Sequence, residues 1–172
     1  AKPVEPRVAH VRPVRHAVDE VDHQADHGGV HVAQPLVAAA LAEQRFTLHY
    51  QPQVDTVSGQ LCACEALLRW NDPQLGLVSP GVFIPVAEET GFIVQLGLWV
   101  LQEAVRQAAQ WAGAGRPVRV SVNVSALQFQ QPQFVDTVAQ CLREHALPPE
   151  LLELELTESI LIHDADEALE RL

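Results

Sequence analysis

Two stretches of strict alternation constrain the fold most. In PVRVSVNVSA (117–126), Val118, Val120, Val122 and Val124 form one face, and Arg119, Ser121, Asn123 and Ser125 form the other. In ELLELELTES (150–159), Leu152, Leu154 and Leu156 oppose Glu153, Glu155 and Thr157. A period of two is the signature of a β-strand. Central strands of an open, doubly wound sheet are apolar on both faces. These two have one apolar and one strongly polar face. A barrel accounts for that better: the apolar face packs under outer helices, and the polar face looks into the mouth, where such folds keep their active sites.

The intervening segments support a parallel α/β sheet. PLVAAALAEQ (35–44) reads as a helix, RFTLHYQPQV (45–54) as a strand ended by Pro52, and SG (58–59) as a turn. QLCACEALLRW (60–70) reads as the next strand, giving way to a loop at NDPQLG (71–76). SPGVFIPVAEETG (79–91) opens with Ser79 as N-cap and Pro80 in the first turn, and predicts a short helix. Residues 92–115 form the clearest helix. Ile93, Leu96, Val100, Leu101, Ala104, Val105 and Ala108 follow the 3.6 period, and Gly113 and Gly115 end it. A further helix is expected over 133–147, closed by Pro148-Pro149, and another from Asp164. Strand, helix, strand, helix, strand, helix is the order of a parallel sheet. No helix-opening G-x-G-x-x-G or P-loop is present, so the nucleotide folds that use them lose support.

Residues 1–35 have a different texture. They hold five of the eight histidines and the only lysine, Lys2, and contain no Leu, Ile, Phe, Tyr or Trp. His23, His27 and His31 step by four, but no carboxylate or cysteine frame makes them a metal site. The segment is expected to be a poorly ordered leader or linker, or non-native coding sequence, with residues 36–172 forming the domain. No run of 18 apolar residues indicates a membrane span, and no signal peptide is indicated. Cys62, Cys64 and Cys141 are odd in number and apolar-flanked, which suits a reducing cytoplasm. Cys62 and Cys64 are expected to be two buried thiols on one strand face. The net charge of −11 argues against a partner that is a nucleic-acid duplex.

Three strands each deliver one oxygen donor near a C-terminal end: Glu65, Asn123 and Glu155. Hard oxygen donors suit Mg2+ or Mn2+ better than Zn2+. Two carboxylates facing one cavity repel, and a divalent cation between them removes that problem. Arg69 shares a side with Glu65 at the strand's exit, where its guanidinium fork suits a phosphate oxygen. On spacing alone, bland readings stand beside these. Glu65 and Arg69 can form a structural ion pair, Asn123 can satisfy backbone groups, and Glu153 and Glu155 can line a solvated edge. A glycosidase also uses two carboxylates in a barrel mouth.

At these residues the chain resembles the EAL family of cyclic-di-GMP phosphodiesterases. EALLRW (65–70) carries the family's name motif. YQPQVD (50–55), GLVSPGVFIPVAEETGFI (76–93), SVNVSALQF (121–129) and LELELTES (152–159) match its pattern in order. The resemblance covers about residues 36–172. It implies a variant (β/α)8 TIM-barrel-like domain that hydrolyses cyclic-di-GMP to linear pGpG by a two-metal mechanism with Mg2+ or Mn2+. Carried over, Glu65, Asn123 and Glu155 look like metal ligands, and Arg69 like a substrate-phosphate contact. Gln51 matches a first-strand glutamine near the catalytic centre, and Leu68 lies in the substrate-binding motif. Glu158 looks like a glutamate that holds a neighbouring catalytic loop. Glu153 has no family role and is read as barrel interior.

The family's pattern runs further than this sequence. Its DDFG loop, a catalytic lysine and a later glutamate have no counterpart here, so truncation after about the fourth strand–helix unit is expected. The isolated chain is then expected to be inactive, poorly soluble, and unpaired at the edge of its last strand. The alternative reading is a non-catalytic domain that binds cyclic-di-GMP or a partner protein. The resemblance further implies homodimerisation of the full domain and a GGDEF or sensor domain in a parent protein.

Overall fold

The computed structural model describes residues 11–13 and 34–156. In chain order it contains β1 (Val11–Pro13), α1 (Gln34–Ala42), β2 (Phe46–Val54), β3 (Leu61–Asp72) and β4 (Gly76–Val78). Then follow α2 (Pro80–Glu89), α3 (Ile93–Gly113), β5 (Arg119–Val124), α4 (Ala126–Phe129), α5 (Phe134–Glu144) and β6 (Leu152–Leu156). One sheet runs β1-β6-β5-β3-β2, with β4 attached to β3. β3, β5, β6 and β1 are parallel. β2 and β4 are antiparallel to β3. The parallel centre follows from the helices between its strands, because a parallel pair needs a long crossover.

Alternation becomes burial as expected. Val120, Val122 and Val124 of β5 and Leu152, Leu154 and Leu156 of β6 are all buried against α3 and α5. On α3 the seven residues picked by helical period are all buried. A second cluster gathers α1, α2 and the first turns of α3 around Trp70, Phe46 and Phe83. The two clusters meet at Leu68 and Trp99.

Several expectations need correction. β2 does not stop at Pro52 but continues to Val54, with Pro52 paired opposite Cys64. Among the described residues β2 is the last strand on its side of the sheet, and such a position tolerates the missing N–H. The stretch expected as a loop at 71–76 is a tight hairpin. β3 runs to Asp72 and returns as β4. Asp72 closes it: one carboxylate oxygen accepts from the Gln74 and Leu75 amides, and the other takes Arg45 Nη1 at 2.7 Å. Arg45 also pairs with Glu43. Cys62 is exposed near the hairpin end, with only Cys64 and Cys141 buried. The edge of β6 is not unpaired, because β1 lies along it from Leu154 to Leu156. The leader expected over 1–35 contributes β1 and the start of α1, while His23, His27, His31 and the helix expected from Asp164 lie outside the described residues.

The four-residue α4 is another element that periodicity does not show. Ser125 caps α4: its hydroxyl accepts from the Gln128 amide, and Gln128 Oε1 accepts from the Ser125 amide. This is a capping box of the S-x-x-Q form. Gln128 is buried and packs on the backbone of α3 at Gly97, where a Cβ would overlap its side-chain amide. Gly97 is therefore required by close approach, and the chain leaving β5 is tied down just beyond Asn123.

Candidate metal and phosphate site

The polar face of the sheet builds the site in two rows. Register places Gln51, Glu65, Ser121 and Glu153 side by side on β2, β3, β5 and β6. One pleat further along, Asn123 of β5 lies opposite Glu155 of β6. Burial falls in the same direction. Ser121 and Glu153 are buried, Glu155 is half-buried and Asn123 is exposed. The face thus opens toward the C-terminal ends of the parallel strands, the end at which barrel sites form.

Glu65 and Arg69 do not pair with each other. Glu65 Oε1 instead accepts from Asn123 Nδ2 at 2.9 Å, across 58 residues of sequence. Arg69 Nη1 donates to the Leu68 carbonyl at 2.9 Å, and its guanidinium is partly exposed at the strand's exit. Leu68 itself turns to the helix side and packs against both core clusters, so its side chain is away from the polar face. Gln51 is exposed on the edge strand, level with Glu65. Glu158 lies outside the described residues. Glu153 forms an ion pair with Arg119 at 2.9 Å and makes the floor of the site.

The electrostatics mark Glu155. Burial is the largest cause pushing its pKa above the ordinary value of 4.5, followed by the Glu65 charge, with Glu153 adding to both. The Ser121 hydroxyl is close enough to act the other way. Two carboxylates on strands β3 and β6 thus sense each other over the intervening β5, about 10 Å between backbones. Bringing them to a shared cation would offset both the repulsion and the desolvation. The donor set of two carboxylates and one amide fits a hard divalent ion. Among the described residues no cluster of three His, Cys, Asp or Glu side chains is preformed. The third donor here is an amide.

Linkage fixes the sign of the pH dependence in the cation-free protein. Folding raises the Glu155 pKa, so its contribution to stability is full below about 4.5 and is lost as pH rises through the folded value. In EDTA, Glu155→Gln is therefore expected to match the parent's Tm at pH 4 and to exceed it at pH 7. A parent more stable than the variant at pH 7 would contradict the placement of Glu155.

Taken together, these elements define an α/β domain with a parallel-centred sheet, whose polar face carries carboxylate and amide oxygens on neighbouring strands. The chain belongs to the EAL domain family, whose model matches residues 36–172. It is 49% identical over 131 residues to the bifunctional diguanylate cyclase/cyclic di-GMP phosphodiesterase MucR of Pseudomonas aeruginosa, covering 76% of this chain and 19% of MucR. To the cyclic di-GMP phosphodiesterase PdeR of Escherichia coli it is 42% identical over 130 residues, covering 76% of this chain and 20% of PdeR. The structure of the MucR phosphodiesterase in complex with c-di-GMP superposes with a TM-score of 0.76 at 47% identity, over 79% of this chain and 56% of that one. The Xanthomonas citri FimX EAL domain in complex with c-di-GMP gives a TM-score of 0.70 at 29% identity, over 79% and 53%. The chain spans about a fifth of the length of these curated relatives. No described helix is long and apolar enough to cross a membrane.

Proposed function

We propose that the chain supplies cation- and substrate-binding residues of a cyclic-di-GMP phosphodiesterase that yields linear pGpG. The observation that carries this reading is the juxtaposition of Glu65, Asn123 and Glu155 at the open end of the polar face, with Asn123 already bonded to Glu65. These three would hold Mg2+ or Mn2+ as one half of a two-metal centre. When bound, the cations supply Lewis-acid stabilisation of phosphoryl charge and acidify the attacking water. Asn123 would turn its amide so that Oδ1 rather than Nδ2 faces the cation. The Asn123–Glu65 bond is then the resting arrangement. Arg69 would offer its guanidinium to a phosphate oxygen in place of the Leu68 carbonyl it now holds. Gln51 would contact the substrate from the edge strand, Leu68 would support Arg69 through its carbonyl, and Glu158 would order a neighbouring loop.

The same proposal places the domain at residues 36–172, in the cytoplasm, with the strand–helix order of a (β/α)8 barrel. A homodimer and a GGDEF or sensor domain would be its partners. The 172-residue chain by itself is expected to produce no pGpG above a buffer control, and measured turnover would remove that part of the proposal.

Binding of c-di-GMP in EDTA tests the phosphate assignment without consuming the ligand. A charge-assisted hydrogen bond contributes ~1.5–3 kcal/mol, so Arg69→Ala in the full-length protein should weaken c-di-GMP binding by about 10–100-fold by calorimetry. Unchanged affinity would place the phosphate elsewhere.

A further inference from the structure

The floor of the site contains a polar group without an assigned role. Ser121 is 1% exposed, and its Oγ is buried without a formed hydrogen bond. Its neighbours in register are Glu65 on one side and Glu153 on the other, and Glu155 lies diagonally one pleat further. A hydroxyl carries a single proton to donate. Here Glu65 and Glu153 flank it in register, and it is close enough to the Glu155 carboxylate to lower that group's pKa.

A buried, unpartnered hydroxyl lowers stability, and an alanine at the same position would carry no such cost. Tyr50, Trp70 and Arg119 also bury polar atoms without a hydrogen bond, but the first two belong to large rings packed with the helix-side cores, and Arg119 Nε lies 2.9 Å from the Glu153 carboxylate as an ion pair. Ser121 has no such packing role, because its side chain is on the polar face. Ligating carboxylates are themselves held by hydrogen bonds, and these fix their orientation.

We propose that Ser121 is a positioning residue for the cation site, donating its hydroxyl proton to the Glu155 carboxylate as that carboxylate turns onto the cation. The inference rests on the cation reading above. In the resting chain Asn123 Nδ2 donates to Glu65, and Glu155 lies opposite Asn123 in register. Engagement of a cation would draw Glu155 toward Glu65, across the strand that carries Ser121. The hydroxyl then satisfies one oxygen of Glu155 and leaves the other for the cation. Glu153, held by Arg119 on the far side, is kept out of competition for the cation.

The test is Mn2+ affinity, read by electron paramagnetic resonance of free Mn2+, with thermal unfolding in EDTA measured in parallel. The proteins are the parent and its Ser121→Ala and Ser121→Thr variants. Ser121→Ala should weaken Mn2+ binding about 10–100-fold, the range seen when an outer hydrogen-bond partner of a ligand is lost. Its Tm in EDTA should not fall. Ser121→Thr retains the hydroxyl on a residue suited to a strand, and should recover most of the affinity. Unchanged Mn2+ affinity in Ser121→Ala, with parental binding intact, would overturn the inference and leave the cation site standing. Absence of Mn2+ binding in the parent would overturn the cation reading, and this inference with it.

Discussion

Glu65→Gln in the full-length protein is expected to lower Mn2+-dependent c-di-GMP hydrolysis by at least ~100-fold, more than the ~10–100-fold typical of losing an outer hydrogen-bond partner. The variant keeps the size and the hydrogen-bonding shape of the side chain, and an acceptor oxygen for Asn123 Nδ2, which bonds Glu65 at 2.9 Å. It removes the negative charge that a divalent cation requires. Folding should therefore be spared while Mn2+ binding is lost, and Tm in EDTA should stay close to that of the parent. Turnover within a few-fold of the parent, assayed as pGpG formed per enzyme at saturating Mn2+, would remove Glu65 from the site. A protein that binds c-di-GMP but yields no pGpG in the parent form would favour a binding-only domain.

The second large effect is on stability. Trp70, the last residue of EALLRW, is fully buried. Its ring lies 5.6 Å from Phe46 and 5.6 Å, edge-on, from Phe83. Trp70→Ala empties that space and should cost ~3–5 kcal/mol. Native domains hold only ~5–15 kcal/mol in total, so much of the cooperative stability would be gone. Trp70→Phe should recover most of the loss, in part because the indole Nε1 has no hydrogen-bond partner to forfeit. Urea denaturation followed by circular dichroism measures both. A loss below about 1.5 kcal/mol for Trp70→Ala would mean that the ring is not the centre of this cluster. The outcome separates the motif's roles: Glu65 and Arg69 serve the polar face, and Trp70 holds the strand that presents them.

What the sequence made legible follows from periodicity. The buried stripe of α3 and the two faces of β5 and β6 were readable because many residues repeat one signal. The same alternation put Asn123 and Glu155 on polar faces, and Glu65 with Arg69 on one side of an otherwise apolar strand. It could not show that Asn123 bonds Glu65, because that contact depends on register between strands 58 residues apart. Nor could it decide whether Glu65 and Arg69 pair. The folded sheet does, by giving Glu65 the Asn123 amide and Arg69 the Leu68 carbonyl. β4 was missed because three residues carry no usable period. In the sequence Pro52 reads as a stop, because its tolerance depends on where β2 lies in the sheet. The Ser125–Gln128 capping box was present in the letters S-A-L-Q and could have been read there. The role of Gly97 could not, since it exists only in contact with Gln128.

The central claim is that Glu65, Asn123 and Glu155 hold one divalent cation at the open end of the polar face. The most direct test is anomalous diffraction from crystals of the full-length protein soaked in Mn2+. The account predicts an anomalous peak in ligand contact, at ~2.1 Å, with oxygens of all three side chains, and with the Asn123 amide turned away from its present bond to Glu65. A peak elsewhere, or none at these residues in a protein that hydrolyses c-di-GMP with Mn2+, would contradict it.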